Sequence, residues 1–353
     1  MALPLARPSS APAITLAPPD AGPRAAPQPR ELPAWRRPFL WVLLALIVGI
    51  AAVPVIVGSA AMREEFFLIL MLVIMATSIN IIMGYTGYVS FGHVVFFGLG
   101  GYTAFFLMMK LQVHFVLAAL VGGALAVLFA VVLGSAVLRL RGAYFALATI
   151  GVNEATRSVV MNVEPLGGAT GMFFNYAIYG QYGGAKMALW LAYYAIVVVA
   201  LAAVAASYFV RRSKFGLGLM AIREDQDTAQ VLGISPARHK VAAFAVSALF
   251  PALSGAIFFF KNGVIEPGTA FHLLTSIEGL VMVMLGGVGT ISGPIVGAVV
   301  YERLRAFLLT NPLFSALHLA IAGVLLLVIV LFVTAGVVGA LRQRFALIRA
   351  YVE

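Results

Sequence analysis

Apolar residues fill this chain in long runs, and polar residues form short islands between them. Ten runs are long enough, or nearly so, to cross a bilayer. They lie near 39–59, 66–83, 93–109, 115–138, 143–161, 188–210, 241–260, 272–287, 292–309 and 316–341. A spanning helix needs about 20 apolar residues, or fewer where neighbours cover it. The pattern predicts an all-α fold, a polytopic membrane bundle of about ten spans. Eight or nine are also compatible, because 93–109, 272–287 and 292–309 are short or interrupted by Gly.

The first 38 residues break the pattern. They are rich in Ala and Pro and carry Arg7, Arg24, Arg30, Arg36 and Arg37 against Asp20 and Glu31. Too little of this stretch is apolar to build a core, so a disordered tail is expected. The run at 39–59 exceeds the roughly 7–15 residues of a signal-peptide core, which predicts a retained first helix. The membrane domain then covers 39–341, with a short tail at 342–353.

The longest charged island is RRSKFGLGLMAIREDQDTAQVLGISPARHK, residues 211–240. Within it, LMAIREDQDTAQVL is mostly good helix formers. Gly233 marks a C-terminal stop, and Pro236 follows. One helix is therefore expected near Leu219–Leu232, too short and too charged to span. Its apolar positions, Leu219, Ile222, Val231 and Leu232, suit a groove on a partner protein. The competing reading is a helix lying on lipid. The acidic residues Glu224, Asp225 and Asp227 count against that, since the inner leaflet is itself anionic.

Composition supports the membrane reading. Hydrophobic residues make up 62% of the chain and charged ones 10%, where a soluble domain carries about 25% charged residues. The net charge of +10 does not indicate nucleic acid. The basic residues edge the apolar runs and form no patch with stacking aromatics. With the N-terminus inside, inner segments hold 16 of the 23 Lys and Arg, and outer segments hold only Arg63, Lys110, Lys186 and Lys261. That is the positive-inside asymmetry. It predicts cytoplasmic N- and C-termini and a cytoplasmic 211–240 loop.

No catalytic set is present. There is no Cys, and the His residues 93, 114, 239, 272 and 318 show no metal-ligand spacing. No G-x-x-x-x-G-K-[ST] phosphate loop and no G-x-S-x-G elbow occur. Neither an enzyme nor a metal site is expected. Uphill movement would need either a partner that hydrolyses nucleotide or an ion gradient.

Two Gly-rich stretches interrupt the spans. One contains Gly84, Gly87 and Gly92 and runs on to Gly98, Gly100 and Gly101. The other contains Gly286, Gly287, Gly289 and Gly293. They fit either close helix packing or a substrate path lined by unwound backbone. Polar residues inside spans are the other leads to a path: Asn80, Thr86, Ser90, His93, Asn153, Glu154, Arg157 and Glu278. Asn80, Thr86, Ser90 and His93 would either meet a zwitterionic solute or satisfy freed backbone. Glu154 and Arg157, three apart, share a helix face. They read as a structural ion pair at a subunit interface or, with Glu278, as an ion relay. For Glu278 a helix-end hydrogen bond is a further reading. The outer loop near 162–187 is either a landing area for a delivering protein or a plain connector.

Asp227-Thr-Ala229, three residues, then Gly233 resembles the EAA-x-x-x-G loop of bacterial ABC importer permeases. The wider stretch KFGLGLMAIREDQDTAQVLGISPARHKVAAFAVSALFPALSGAIF resembles the branched-chain amino acid permeases, M-type subunit. So, in the same order, do NIIMGYTGYVSFGHVVFFGLGGYTA, LRLRGAYFALATIGVNEATR, LGGATGM and SIEGLVMVMLGGVGTISGPIVGA. Position 228 is Thr and 227 is Asp where the general loop has Ala and Glu. Residue 88 is Tyr where many members carry Gln, which bears on substrate if it lines the path.

The resemblance implies a membrane subunit of an ATP-driven importer in the bacterial inner membrane. Its implied partners are a second, related permease, two ABC ATPases that bind the ATP, a periplasmic or lipid-anchored binding protein, and membrane lipid. Implied substrates are branched-chain amino acids, with urea, short amides or aromatic acids in related systems. It also assigns ATPase coupling to Leu219, Ile222, Arg223, Glu224, Asp225, Asp227, Ala229, Leu232 and Gly233. An ion-coupled secondary transporter remains the alternative, and a transport-free membrane scaffold a third.

Overall fold

A computed structural model describes residues 38–174 and 176–310. The tail at 1–38 (all but its last residue), the run at 316–341 and the tail at 342–353 lie outside the described residues. The other nine apolar runs are helices. They are α1 (Pro38–Val57), α2 (Ala60–Thr86), α3 (His93–Leu111), α4 (Phe115–Val137), α5 (Ala143–Met161), α6 (Ala185–Arg212), α9 (Pro236–Asn262), α11 (Leu273–Gly286) and α12 (Gly293–Thr310). Between α6 and α9 lie α7 (Lys214–Glu224) and α8 (Gln226–Val231), and a short α10 (Pro267–Ala270) leads into α11.

Among the described residues, six helical segments are long and apolar enough to cross a membrane: α2, α3, α4, α6, α9 and the α10–α11 stretch. The sequence pattern predicts about ten. α5 falls short because it carries Asn153, Glu154 and Arg157, and α12 because it carries Glu302, Arg303 and Arg305. Both are nonetheless full-length helices.

α2 is the central post, with 83% of its apolar window buried. It packs on α6, α9, α11 and α12, while α3 is clasped between α4 and α9. Lipid tails are as apolar as Leu, so helices in a membrane associate by close packing rather than by hydrophobic expulsion. Gly100 shows how close: a Cβ there would lie 2.2 Å from the Ala252 carbonyl oxygen on α9. The second Gly cluster of the α3 run therefore serves helix packing.

Alternating spans sort the chain to two ends. At one end α2 begins, capped by the Ser59 hydroxyl, which accepts from the Met62 N–H. Its first two turns carry Arg63, Glu64 and Glu65, which is why the apolar pattern starts late. Glu64 pairs with Arg63 and Lys261, and Glu65 with Arg303. The 162–187 loop folds over this end. Strand β1 (Met172–Phe173) pairs antiparallel with β2 (Val264–Ile265), Met172 opposite Ile265. Aromatic rings fill the space beneath, with Phe105 stacked on Phe174 at 3.8 Å and Phe115 on Phe260 at 4.2 Å. Both Gly-rich breaks, α7 and α8 gather at the opposite end.

Candidate functional site

Two interrupted helix pairs meet there. The α2–α3 pair is broken at Gly87–Gly92 and the α11–α12 pair at Gly287–Ser292. Unwound backbone leaves peptide groups without helical partners, which lipid cannot satisfy. Asn80 resolves part of this. Its Nδ2 donates to the Thr290 carbonyl at 2.8 Å, and its Oδ1 accepts from the Gly289 N–H at 2.9 Å. One side chain on α2 thus holds both a donor and an acceptor of the second break.

The breaks also touch directly. A Cβ on Gly84 would meet the Gly289 N at 2.7 Å and Asn80 Oδ1 at 2.2 Å. Only glycine allows that crossing. Arg223 completes it from α7. Its Nη1 donates to the Gly84 carbonyl at 2.7 Å and would lie 2.9 Å from a Cβ on Gly289. A side chain of the charged island therefore reaches both breaks.

The first break is satisfied by three other helices. The Phe91 N–H donates to Thr149 on α5 at 3.1 Å, and the Val94 N–H to Ser276 on α11 at 3.0 Å. His93 Nε2 lies 3.2 Å from Ser247 Oγ on α9, with Phe96 and Phe244 set edge-on to its ring. Ser247 is about 16 Å along α9 from Pro236 at 1.5 Å per residue. The α3 end of the break therefore reaches into the bundle from that end.

The polar residues singled out in the sequence separate into two groups. Asn80, Thr86, Ser90, His93 and Asn153 are buried, and each makes at least one hydrogen bond, with Asn153 Oδ1 left without a partner among the described residues. Thr86 donates back to the Ile82 carbonyl, Ser90 accepts from the Gly92 N–H, and Asn153 donates to the Phe271 carbonyl. Glu154 and Arg157 lie apart on the outer face of α5. They pair at 3.5 Å, with their side chains 53% and 39% exposed respectively. Glu278 faces Tyr301 on α12 instead of joining Asn80.

The island between α6 and α9 differs from the expected single helix. Asp225 is extended, at φ −155° and ψ 117°, and ends α7 while starting α8. Its carboxylate accepts from the Thr228 N–H as an N-cap. That bond holds its pKa below the ordinary carboxylate value. Asp is among the preferred N-cap residues, so the signal for the break was present in REDQDTA. Leu219 and Ile222 of α7 are buried within the chain, as is Ala229 of α8. They are not available to a partner's groove in this arrangement. Val231 and Leu232 are, at 88% and 73% exposed, and Glu224, Asp225 and Asp227 are exposed beside them. Gly233 does stop the helix, at φ +84°. The Ile234 N–H returns to the Ala229 carbonyl and the Gly233 N–H to that of Gln230, the paired bonds of a Schellman cap.

A second tie was not foreseen. Tyr88, in the first break, donates to Gln226 Oε1 at 2.9 Å and accepts from Lys240 Nζ at 3.0 Å. Lys240 also lies over the Tyr88 ring and donates to the Leu138 carbonyl at 2.8 Å. Tyr88 thus faces α8 and α9. Nothing in the local pattern links it to residues 138 and 152 positions away.

Residues 62–334 match the family described as the branched-chain amino acid transport system permease component. The chain belongs to this family. It is 30% identical over 280 residues to the high-affinity branched-chain amino acid transport system permease protein LivM of Escherichia coli K12, covering 73% of this chain and 65% of that protein. The LivH permease of Salmonella typhimurium is 29% identical over 144 residues, covering 40% of this chain and 46% of its own. The BraD permease of Pseudomonas aeruginosa is 30% identical over 111 residues, covering 31% of this chain and 36% of its own. The chain spans about 65% of the length of the LivM relatives it matches. No solved structure matches. The family is one of transport permeases, not enzymes, in agreement with the sequence reading.

Proposed function

We propose that this chain is a membrane subunit of an ATP-driven importer for branched-chain amino acids or a related small polar solute. It works with a second, related permease, two ABC ATPases that bind the ATP, and an extracytoplasmic binding protein. The chain sits in the bacterial inner membrane with both termini and the α7–α8 segment in the cytoplasm.

The observation that carries this reading is Arg223. It joins α7 to the Gly84 carbonyl at 2.7 Å, and Asn80 ties that point to Gly289 and Thr290. A displacement of α7–α8 by an ATPase is therefore passed to both helix breaks at once. Tyr88 to Gln226 supplies a second link. Directional transport needs the two states of the path to respond differently to the nucleotide state, and these links bias the path through the segment that faces the ATPase. Val231 and Leu232 are the apolar contacts for that ATPase, with Gly233 setting the angle of α8.

The test is reconstitution in liposomes with the ATPases, second permease and binding protein encoded nearby. Uptake should require ATP inside. Arg223→Ala should cut uptake at least about ten-fold, roughly the 1.4 kcal/mol of one charged hydrogen bond, while ATP hydrolysis continues. Gradient-driven uptake by the purified chain alone would instead establish an ion-coupled transporter. Full uptake by Arg223→Ala would remove the proposed link.

A further inference from the structure

A cleft of about 630 Å³ opens at the end of the bundle that carries the breaks. It lies between the last turn of α4, the α4–α5 link and the first turn of α9. Arg139, Arg141, Arg238 and Lys240 line it, and among the described residues no Asp or Glu does. We propose that this cleft binds the phosphate of an anionic phospholipid from the adjoining leaflet.

Three observations point the same way. The first is uncompensated charge. Arg141 is paired with Asp227 at 2.8 Å. Lys240 is only 2% exposed, and its ammonium meets a tyrosine hydroxyl, a backbone carbonyl and an amide oxygen. Among the described residues it has no carboxylate partner. With all three of its N–H donors taken, Lys240 adds positive field to the cleft, and among the described residues Asp227 on Arg141 is the single carboxylate paired with the cleft's basic side chains. Arg139 is held by its Nε on the Ser135 carbonyl at 3.1 Å, and Arg238 is exposed.

The second is the start of α9. The first N–H groups of a helix lack intrahelical partners and carry partial positive charge. Ala237 and Arg238, in that first turn, line the cleft, and the Ser235 side chain does not cap the helix.

The third identifies the source of the phosphate. The cleft's other wall is apolar, with Val131 and Val241. It continues the outward stripe of Leu117, Leu120, Leu128 and Val132 on α4. A free phosphate has no use for that stripe, whereas an acyl chain lies along it. Basic pockets between spans on the cytoplasmic side suit lipid headgroups.

The experiment uses the full-length purified chain, delipidated in detergent and titrated with phosphatidylglycerol, phosphatidylcholine or inorganic phosphate at fixed ionic strength. Native mass spectrometry counts the adducts. Phosphatidylglycerol should bind at least ten times more tightly than phosphatidylcholine, and millimolar phosphate should not displace it. Each basic residue near a membrane surface is worth about five-fold, so Arg139→Gln with Arg238→Gln should weaken phosphatidylglycerol about thirty-fold. Lys214→Gln, exposed on α7 away from the cleft, should leave binding unchanged. Val131→Trp, which narrows the apolar wall, should weaken lipid as well. It keeps the proposal testable if the double variant does not fold. Equal affinity for both lipids, or unchanged binding in a folded double variant, overturns the proposal. So does displacement by phosphate, which would make the site one for a free anion. Loss of ATPase capture with lipid binding intact would assign the cleft to the ATPase instead.

Discussion

Removing the Asn80 carboxamide leaves two backbone groups, the part-buried Gly289 N–H and the buried Thr290 carbonyl, without their partners. Each such group costs about 1–3 kcal/mol. Asn80→Leu should therefore destabilise the chain by about 2–5 kcal/mol, seen as a drop in the melting temperature of the detergent-solubilised protein. Melting indistinguishable from the parent would mean the breaks are held by other contacts. The spacing of Gly and Asn in the sequence points to this neighbourhood and leaves its role open between path and packing. The carboxamide has its oxygen and one N–H committed to backbone, and that is visible only once residue 80 and residue 290 are brought together. Tyr88 makes the same point. Its ring bears on Lys240 and its hydroxyl on Gln226, so Tyr88→Phe should lower the uptake rate without changing the order of preference among leucine, isoleucine and valine. A changed preference, measured by competition in proteoliposomes, would return Tyr88 to the substrate path.

At the scale of elements, the α7–Asp225–α8 segment was legible in part. Helix propensity and the Gly233 stop emerge from local sequence. Asp225 carries the N-cap signal for the break, but good helix formers on both sides outweigh it, and the burial of Leu219 and Ile222 depends on the rest of the bundle. Gly233 itself has open space around the position a Cβ would take, so a substitution there acts through backbone conformation alone. A β-branched residue at φ +84° costs on the order of 1–2 kcal/mol, and Asn far less. Gly233→Val should thus insert normally and lose ATP-driven uptake, while Gly233→Asn keeps most of it. Equal uptake by both variants would detach the cap from coupling. The Asp225 cap adds a pH expectation. Its folded pKa is depressed, so its contribution is complete above the ordinary carboxylate value near 4 and is lost as pH falls through the lower folded value. Transport between about pH 5 and 8 should show no inflection from this group.

For the whole molecule, helix order follows the hydropathy pattern, which is long-range, although six described segments are long and apolar enough to span where the pattern predicts about ten. It does not say which helix faces lipid and which faces a second subunit. Exposure does. α4 turns Leu128 and Val132 outward, as a lipid-facing helix should. α5 turns out Tyr144, Leu147 and Val159 together with Gly151, Glu154, Ala155 and Ser158, with a charged pair among them. Ionisable side chains within a membrane almost always face protein or a water-filled cavity. In the importer proposed above, the outward face of α5 is where the second permease would sit, with the path along that seam. The chain contains no Cys, so single cysteines can be placed without background. Ser158→Cys on α5 should cross-link to a partner permease carrying a matching cysteine, and ATP should change the yield as the seam opens and closes. Leu128→Cys on α4 should give no cross-link and should instead react with a lipid-phase maleimide. Cross-linking through Leu128→Cys and lipid-phase labelling of Ser158→Cys would exchange the two faces, leaving Glu154 and Arg157 against lipid, where their separation from a partner would have to be balanced by the pair alone.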